Sequence, residues 1–299
     1  MPILCILCKK VKAAGGRRLS LARRALPPYA KAMIVYLNGR YLDARQATIP
    51  VFDPGFLYGD GIFETMRTYN GRIFQLGEHL DRLLESAKTR GWELSWRRDE
   101  LSKIITKTVA RNGYPDSRIR VTITPGVEKP TLFVWVQPLD KLAGTAYSQG
   151  VSAITFPLER AFPRMKTTSM QPLLIARVEM EKRGAFEALL VNHKGNVTEG
   201  TWTNLFIVKD NEIITPKLGV LLGKTRDSVI ECARHSATVS EKNIPLDSLL
   251  QADECFVTNS TKGIVPVVRV DGAKIANGKP GPVTKKLMKA LREMMTNAD

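Results

Sequence analysis

From residue 34 onward the chain alternates between two hydrophobic periods, and each period marks an element. IVYLNGRYL is strand-like on both sides of Asn38-Gly39, a pair that favours the tight turn of a hairpin. FETMRTYNGRIF repeats the device around Asn70-Gly71. In GEHLDRLLESAKTRGW the apolar positions Leu80, Leu83, Leu84 and Ala87 fall at helical spacing, and DELSKIITKTVARNG reads as a second helix stopped by Gly113. RIRVTITPG and TLFVWVQP follow as strands. The polar, turn-rich stretch 138–150, PLDKLAGTAYSQG, is the best place for a linker.

The second half opens with the strand VSAITF, a polar stretch RAFPRMKTTSMQ, and the helix PLLIARVEMEKRG with Pro172 near its first turn. FEALLVN, NLFIVKD and EIITP read as strands, the first two joined by the acidic segment GNVTEGTWTN, 195–204. After GVLLGKT comes a helix in RDSVIECARH, then the strands ATVSEKNIP, ADECFVTNS and GIVPVVRV, and the closing amphipathic helix PVTKKLMKALREMM. No repeat of 20–50 residues interrupts this order. The economical reading is two α+β domains, 33–145 and 146–299, behind a leader of residues 1–32.

A length of 299 residues with 43% hydrophobic and 25% charged is a globular composition. No run approaches the roughly 18–20 continuous apolar residues of a membrane-spanning helix. The net charge of +16 raises the possibility of a basic nucleic-acid-binding module. Eight of those charges lie in residues 1–32, which hold no acidic residue, so half the excess belongs to the leader. That keeps nucleic-acid binding a remote alternative, with no nucleic-acid or membrane partner expected. The leader has no clear period and ends in Pro27-Pro28. It reads as a disordered segment or an upstream start codon assigned in error, in preference to an Arg-rich transit peptide. Cys5 and Cys8 form one CxxC without a second ligand pair, and Cys232 and Cys255 stand alone on apolar patterns. The cysteines therefore fit a reducing cytosol, and His79, His193 and His235 show no metal spacing.

Three stretches carry candidate chemistry. GVLLGKTRDSV, 219–229, looks like a nucleotide loop, but Gly219 and Gly223 enclose only three residues where a P-loop needs four. What remains is Gly223-Lys224-Thr225 at a helix N-terminus, where unpaired N–H groups and the dipole favour an anion. Lys166 stands in a polar loop before a helix, against the ordinary reading of a surface lysine. Glu199 lies just past a strand end beside Gly200 and among Thr198, Thr201 and Thr203, where a carboxylate can approach a ligand closely; its bland reading is a turn carboxylate.

Taken together, FDPGFLYGDGIFETMRTYNG, EHLDRL, MKTTS, GNVTEGTWTNLF, GKTRD and FVTNSTKGIVPV resemble, in order and at family spacing, the class-IV pyridoxal-phosphate aminotransferases. That family includes branched-chain and D-amino-acid aminotransferases and 4-amino-4-deoxychorismate lyase, and the resemblance covers about 34–299. It implies an α+β, fold-type-IV enzyme with a smaller N-terminal α/β domain and a larger C-terminal α/β pseudo-barrel domain. It also implies a cofactor in the cleft between them and a homodimer. Lys166 matches the lysine that forms the Schiff base with pyridoxal 5'-phosphate and shuttles the proton, and Glu199 the carboxylate paired with the pyridine nitrogen. Thr225 and Arg82 match the family's phosphate-binding threonine and arginine, and Ser260 a phosphate-contacting hydroxyl. Arg67 and Arg120 are candidates for the substrate carboxylate, with Asn259 and Thr261 at the substrate side.

The chain departs from the family at several points. Lys224 replaces an apolar residue and is an unexplained cation. Gln171 stands where branched-chain enzymes carry a tyrosine bonded to the cofactor's phenolic oxygen. The D-amino-acid enzyme's Arg-x-His loop has no counterpart in RVTITPGVEKPTLFV, which makes D-specificity the least favoured reading. The resemblance favours amino-group transfer between an amino acid, branched-chain type, and a 2-oxo acid. The rival is the lyase that releases pyruvate and 4-aminobenzoate, supported by Asn259.

Overall fold

The two Asn-Gly pairs adopt the left-handed backbone that tight hairpins demand: φ is 44° and 92° at Asn38 and Gly39, and 50° and 82° at Asn70 and Gly71. They join β1 (Ile34–Leu37) to β2 (Arg40–Asp43) and, past the short helix α1 (Pro54–Leu57), β3 (Ile62–Tyr69) to β4 (Arg72–Ile73). In this computed structural model, which describes residues 33–234 and 237–297, the first sheet is completed by β5 (Ser117–Thr124) and β6 (Thr131–Pro138). The leader, its cysteine pair and His235 lie outside the described residues. The strand order is β2-β1-β6-β5-β3-β4, antiparallel throughout.

Helices α2 (Leu76–Thr89) and α3 (Arg98–Asn112) cover one face of that sheet. Leu80, Leu83, Ala87, Leu101 and Ile105 pack on Ile62, Met66, Ile119, Val121 and Ile123. At its start α3 has the Glu100 carboxylate accepting from the Arg97 N–H at 2.7 Å, and at its end Gly113 at φ 67°. Strand periodicity sorts the remaining side chains. On β5, Ile119, Val121 and Ile123 are buried while Arg118, Arg120 and Thr122 point to the opposite face.

The chain then passes through α4 (Gly144–Ser148) inside the expected linker, whose Tyr147 hydroxyl donates to the Lys262 carbonyl at 3.0 Å. A ten-stranded sheet follows. It contains β7 (Val151–Pro157), β8 (Glu187–Val191) after helix α5 (Gln171–Lys182), β9 (Asn196–Gly200), β10 (Asn204–Lys209) and β11 (Glu212–Thr215). After α6 (Lys224–Arg234) come β12 (Thr238–Glu241), β13 (Ile244–Pro245), α7 (Leu246–Leu250), β14 (Glu254–Asn259), β15 (Gly263–Val270), β16 (Ala273–Lys274) and α8 (Pro282–Asn297).

The path β10-β14-β15-β7-β8-β9 returns to β10 through the pairing of Glu199 with Asn204, so six strands close into a barrel. This matches the pseudo-barrel expectation and corrects one detail. Residues 196–200 are not a joining segment but a strand, because Val197 and Thr198 are β-branched and buried, and Val197 and Gly200 pair with Val191 and Leu189 of β8. The barrel interior is filled by Leu189, Val197, Leu205, Ile207, Val257, Val265 and Val267. Outside it, α6 and α8 pack over Phe206 and Phe256, whose rings stack at 4.9 Å. None of the described helices is long and apolar enough to cross a membrane.

Candidate active site

Lys166 is fixed by backbone rather than by its own side chain. Its carbonyl accepts from the Phe63 N–H at 2.9 Å, Thr167 bridges to Ile62, and the Thr168 N–H donates to the Gly61 carbonyl at 2.8 Å. The segment 166–168 thus lies antiparallel against the start of β3, joined by one isolated bridge and the two flanking backbone bonds. Its ammonium lies 5.0 Å from the Phe63 ring centre and faces a narrow cavity of about 30 Å³, shared with Arg160, Glu199, Thr201, Trp202 and Asn204. Burial first, and then the neighbouring cations Arg82 and Arg160, pull the Lys166 pKa down to about 7, against the opposite pull of Glu64 and Glu199. The neutral amine is therefore far more accessible near neutral pH than that of an ordinary lysine.

Glu199 enters the same cavity from the barrel. Its Oε1 accepts from Arg160 Nη1 at 3.0 Å and its Oε2 from the Leu221 N–H at 3.0 Å, with Asn204 Nδ2 at 3.5 Å. Burial raises its pKa, and Arg160 and the Leu221 N–H work against that shift. Asn204 also donates to the Leu221 carbonyl at 2.7 Å, so loop 216–223 is held through both backbone groups of one residue. A Cβ on Gly223 would collide with Asn204 Oδ1, which is why glycine precedes the helix here.

Arg82 reaches this loop from helix α2, its Nη1 donating to the Leu222 carbonyl at 2.5 Å. Glu64, on the helix-facing side of β3, binds Arg82 through both oxygens at 2.7 Å and meets His79 Nδ1 at 2.7 Å. Burial alone would raise the Glu64 pKa, but Arg82 and His79 outweigh it and hold the carboxyl well below its usual range. The same loop ends at Thr225, buried in the first turn of α6, so Arg82, Glu199 and this helix N-terminus converge on residues 221–225. Lys224 turns to Asp227, 3.5 Å away on its own helix.

The proposed substrate-side residues form two groups. Arg67 stacks on Tyr69 at 3.7 Å, donates from Nη1 to the Thr261 carbonyl at 3.2 Å and lies 3.8 Å from Asp116. Asn259 Oδ1 accepts from the Thr261 N–H and hydroxyl at 3.1 Å each and from the Lys262 N–H at 2.8 Å, so it fastens the turn between β14 and β15. Ser260 sits half-buried in that turn. Arg120, by contrast, stacks on Phe63 at 3.7 Å, bonds Thr122 Oγ1 at 3.2 Å and has no acidic partner among the described residues. Burial and the nearby Arg118 lower its pKa to about 10.

Gln171 departs from its expected place. It is exposed at the first residue of α5, while Met170, just before the helix, and Leu173 on it line the cavity. Sequence reading passes over Arg160, Glu64 and Asn204. Only Glu64 has a local signal, a carboxylate on the otherwise buried face Ile62, Met66, Thr68 of its strand.

Residues 61–270 match the family Amino-transferase class IV. The chain is 36% identical over 282 residues to a Methanocaldococcus jannaschii protein provisionally named a branched-chain-amino-acid aminotransferase, covering 88% of this chain and 97% of that one. It is 33% identical to the D-alanine aminotransferase of Bacillus licheniformis, covering 87% and 96%. A T.th. branched-chain amino acid aminotransferase, solved with N-(5'-phosphopyridoxyl)-L-glutamate, superimposes with a TM-score of 0.83 at 30% identity, covering 90% and 96%. By sequence and by fold, this chain belongs to the class IV aminotransferases.

Proposed function

We propose that this enzyme uses pyridoxal 5'-phosphate to move an amino group between an L-amino acid, branched-chain type favoured, and a 2-oxo acid. The observation that supports this most is one cavity holding a lysine with a pKa near 7 and a buried carboxylate held by an arginine and a backbone N–H.

The donor set suits that cofactor. A neutral amine can attack its carbonyl carbon, a buried carboxylate can pair with its ring nitrogen, and a guanidinium with a helix N-terminus can take its phosphate. In this assignment Lys166, Glu199, and Arg82 with Thr225 and Ser260 fill those roles. The bound group would supply an electron-withdrawing ring that stabilises negative charge at the substrate Cα. Lys166 would take the Cα proton on Nζ and return it. Glu199 would keep a proton at the ring nitrogen. An ion pair of this kind at about 4 Å is worth roughly 4 kcal/mol at an effective dielectric near 20, before desolvation is subtracted. Arg120, without an acidic partner, would orient a substrate carboxylate.

A cavity of about 30 Å³ accommodates water rather than a ring. Arg160 and Leu173 separate it from a second cavity of about 540 Å³, so Arg160 is the side chain whose movement would join the two.

The proposed assembly is a homodimer. Val51, Phe52, Phe56 and Tyr58 are 63%, 73%, 65% and 77% exposed on one segment before β3, an apolar patch of the kind that marks an interface. The proposed compartment is the cytosol, in keeping with free thiols at Cys232 and Cys255.

Two measurements test this reading. Apoprotein should take up pyridoxal phosphate at a rate that is half-maximal near pH 7, because the Lys166 amine is neutral above its lowered pKa. The rate should fall about tenfold per pH unit below that point. A midpoint near 10 would mean an ordinary lysine. The loaded enzyme, mixed with L-leucine, L-valine or L-glutamate alone, should lose the pyridoxal absorbance for that of pyridoxamine and regain it with 2-oxoglutarate. A response to D-alanine alone would assign it to the D-specific enzymes. No response to amino acids, with pyruvate released from aminodeoxychorismate, would assign it to the lyases.

A further inference from the structure

A second carboxylate lies directly beneath the site. Glu187, on β8, is 2% exposed, and both oxygens accept hydrogen bonds from neutral groups. Oε1 accepts from the N–H groups of Ala188 at 2.9 Å and Thr201 at 3.0 Å and from the Thr201 hydroxyl at 2.5 Å. Oε2 accepts from the Thr203 hydroxyl at 2.9 Å and the Trp202 N–H at 3.4 Å. Four of these five donors come from residues 201–203, the turn that leads from β9 to β10. That turn follows Glu199 by two residues, and Thr201, Trp202 and Thr203 line the same cavity as Lys166.

The packing is equally specific. A Cβ on Gly200 would collide with the Glu187 carboxyl and with Thr203 Oγ1, so the carboxylate occupies the space under that glycine. Leu189 pairs with Gly200 across β8 and β9, which sets Glu187 opposite the turn. Nothing in the reaction assigned above uses Glu187. Three of the five donors are backbone N–H groups, which can only donate, and the anion is the form that lets both hydroxyls donate as well. Burial pushes the pKa up, and the hydroxyls and N–H groups oppose it.

We propose that Glu187 is a positioning residue: its carboxylate gathers the 201–203 turn and thereby sets where Glu199 and the cavity wall stand relative to Lys166. The inference rests on the transaminase reading. Whichever way it turned, an amide at this position would set its NH₂ against a backbone N–H, that of Trp202 on one side or of Thr201 on the other, so at least one anchor of the turn would be lost.

The test compares wild type with Glu187→Gln, Glu187→Asp and Thr203→Val, each as apoprotein and after loading with pyridoxal phosphate. Glu187→Gln should weaken cofactor binding to apoprotein about tenfold and lower kcat about a hundredfold, with KM within a few-fold, as expected when a preorganised group is misplaced. The pH titration of the bound cofactor's absorbance should shift in the same variant, a change that lost stability alone does not produce. Glu187→Asp should recover part of each effect, and Thr203→Val should show a smaller shift in the same direction. If Glu187→Gln does not fold, Thr203→Val decides by the same readouts. Affinity, kcat and titration all within twofold of wild type would overturn the proposal. A wild-type protein that neither takes up the cofactor nor transaminates would instead sink the reading on which it rests.

Discussion

Replacing Lys166 with Ala is expected to lower transamination by about a thousandfold or more, because the variant loses the amine that takes and returns the Cα proton. The side chain is well placed for that role: its pKa is drawn to about 7, so a neutral amine is available without strong base. Arg82, Thr225 and Glu199 remain in the variant, and cofactor should still bind, though more weakly and without covalent attachment. Borohydride should fix the cofactor to wild-type protein at Lys166 and leave the variant unlabelled. Label at another lysine, or appreciable turnover by the variant, would remove Lys166 from the proposed site.

Glu199→Gln should lower kcat by about a hundredfold to a thousandfold while changing cofactor affinity and KM far less. A glutamine oxygen can still accept from the Leu221 N–H, which the carboxylate now meets at 3.0 Å, so the local fold should survive. What disappears is the negative charge. That charge holds Arg160 at 3.0 Å and, in the proposed mechanism, a proton on the ring nitrogen. Its benefit grows as charge develops during proton abstraction, so the loss should fall on kcat. A variant with wild-type kcat would assign Glu199 a structural role only.

Local signals make most of the architecture legible. The Asn-Gly hairpins and the helices α2, α3, α5, α6 and α8 are encoded by turn chemistry and period within a few residues. Strand β9 escapes a sequence reading because its pairing partners lie on β8, β10 and β13, and a short polar segment shows nothing of them. Short elements such as α1, α7 and β16 carry too few residues for a period. At the site, the motif order marks Lys166, Glu199, Arg82 and Thr225; Lys166 and Glu199 line one cavity, and Arg82 and Thr225 lie at the adjoining segment 221–225. Arg160 has no such marking. It is one arginine in a basic loop, and only folding brings it to a carboxylate 39 positions away. Glu64 and Glu187 are readable in principle, since each puts a charge on a buried strand face. Gln171 falls outside the site because a matched position says nothing of the helix phase that turns it to solvent.

The seam along β3 gives the site an unusual mutational profile. Lys166 takes its position from the first sheet through the Phe63 and Thr168 backbone bonds, whereas Glu199 takes its position from the barrel. The separation of the two groups is therefore a property of how the sheets are joined, not of either one alone. Changes at the junction, such as those weakening the Gly59 and Gly61 contacts with Thr168, would leave both cores intact and yet misalign the reacting groups. Since a displacement near 1 Å can cost about a hundredfold in rate, such variants would melt normally and fail kinetically. A screen that scores expression or thermal stability would pass them; only one that scores turnover would find them.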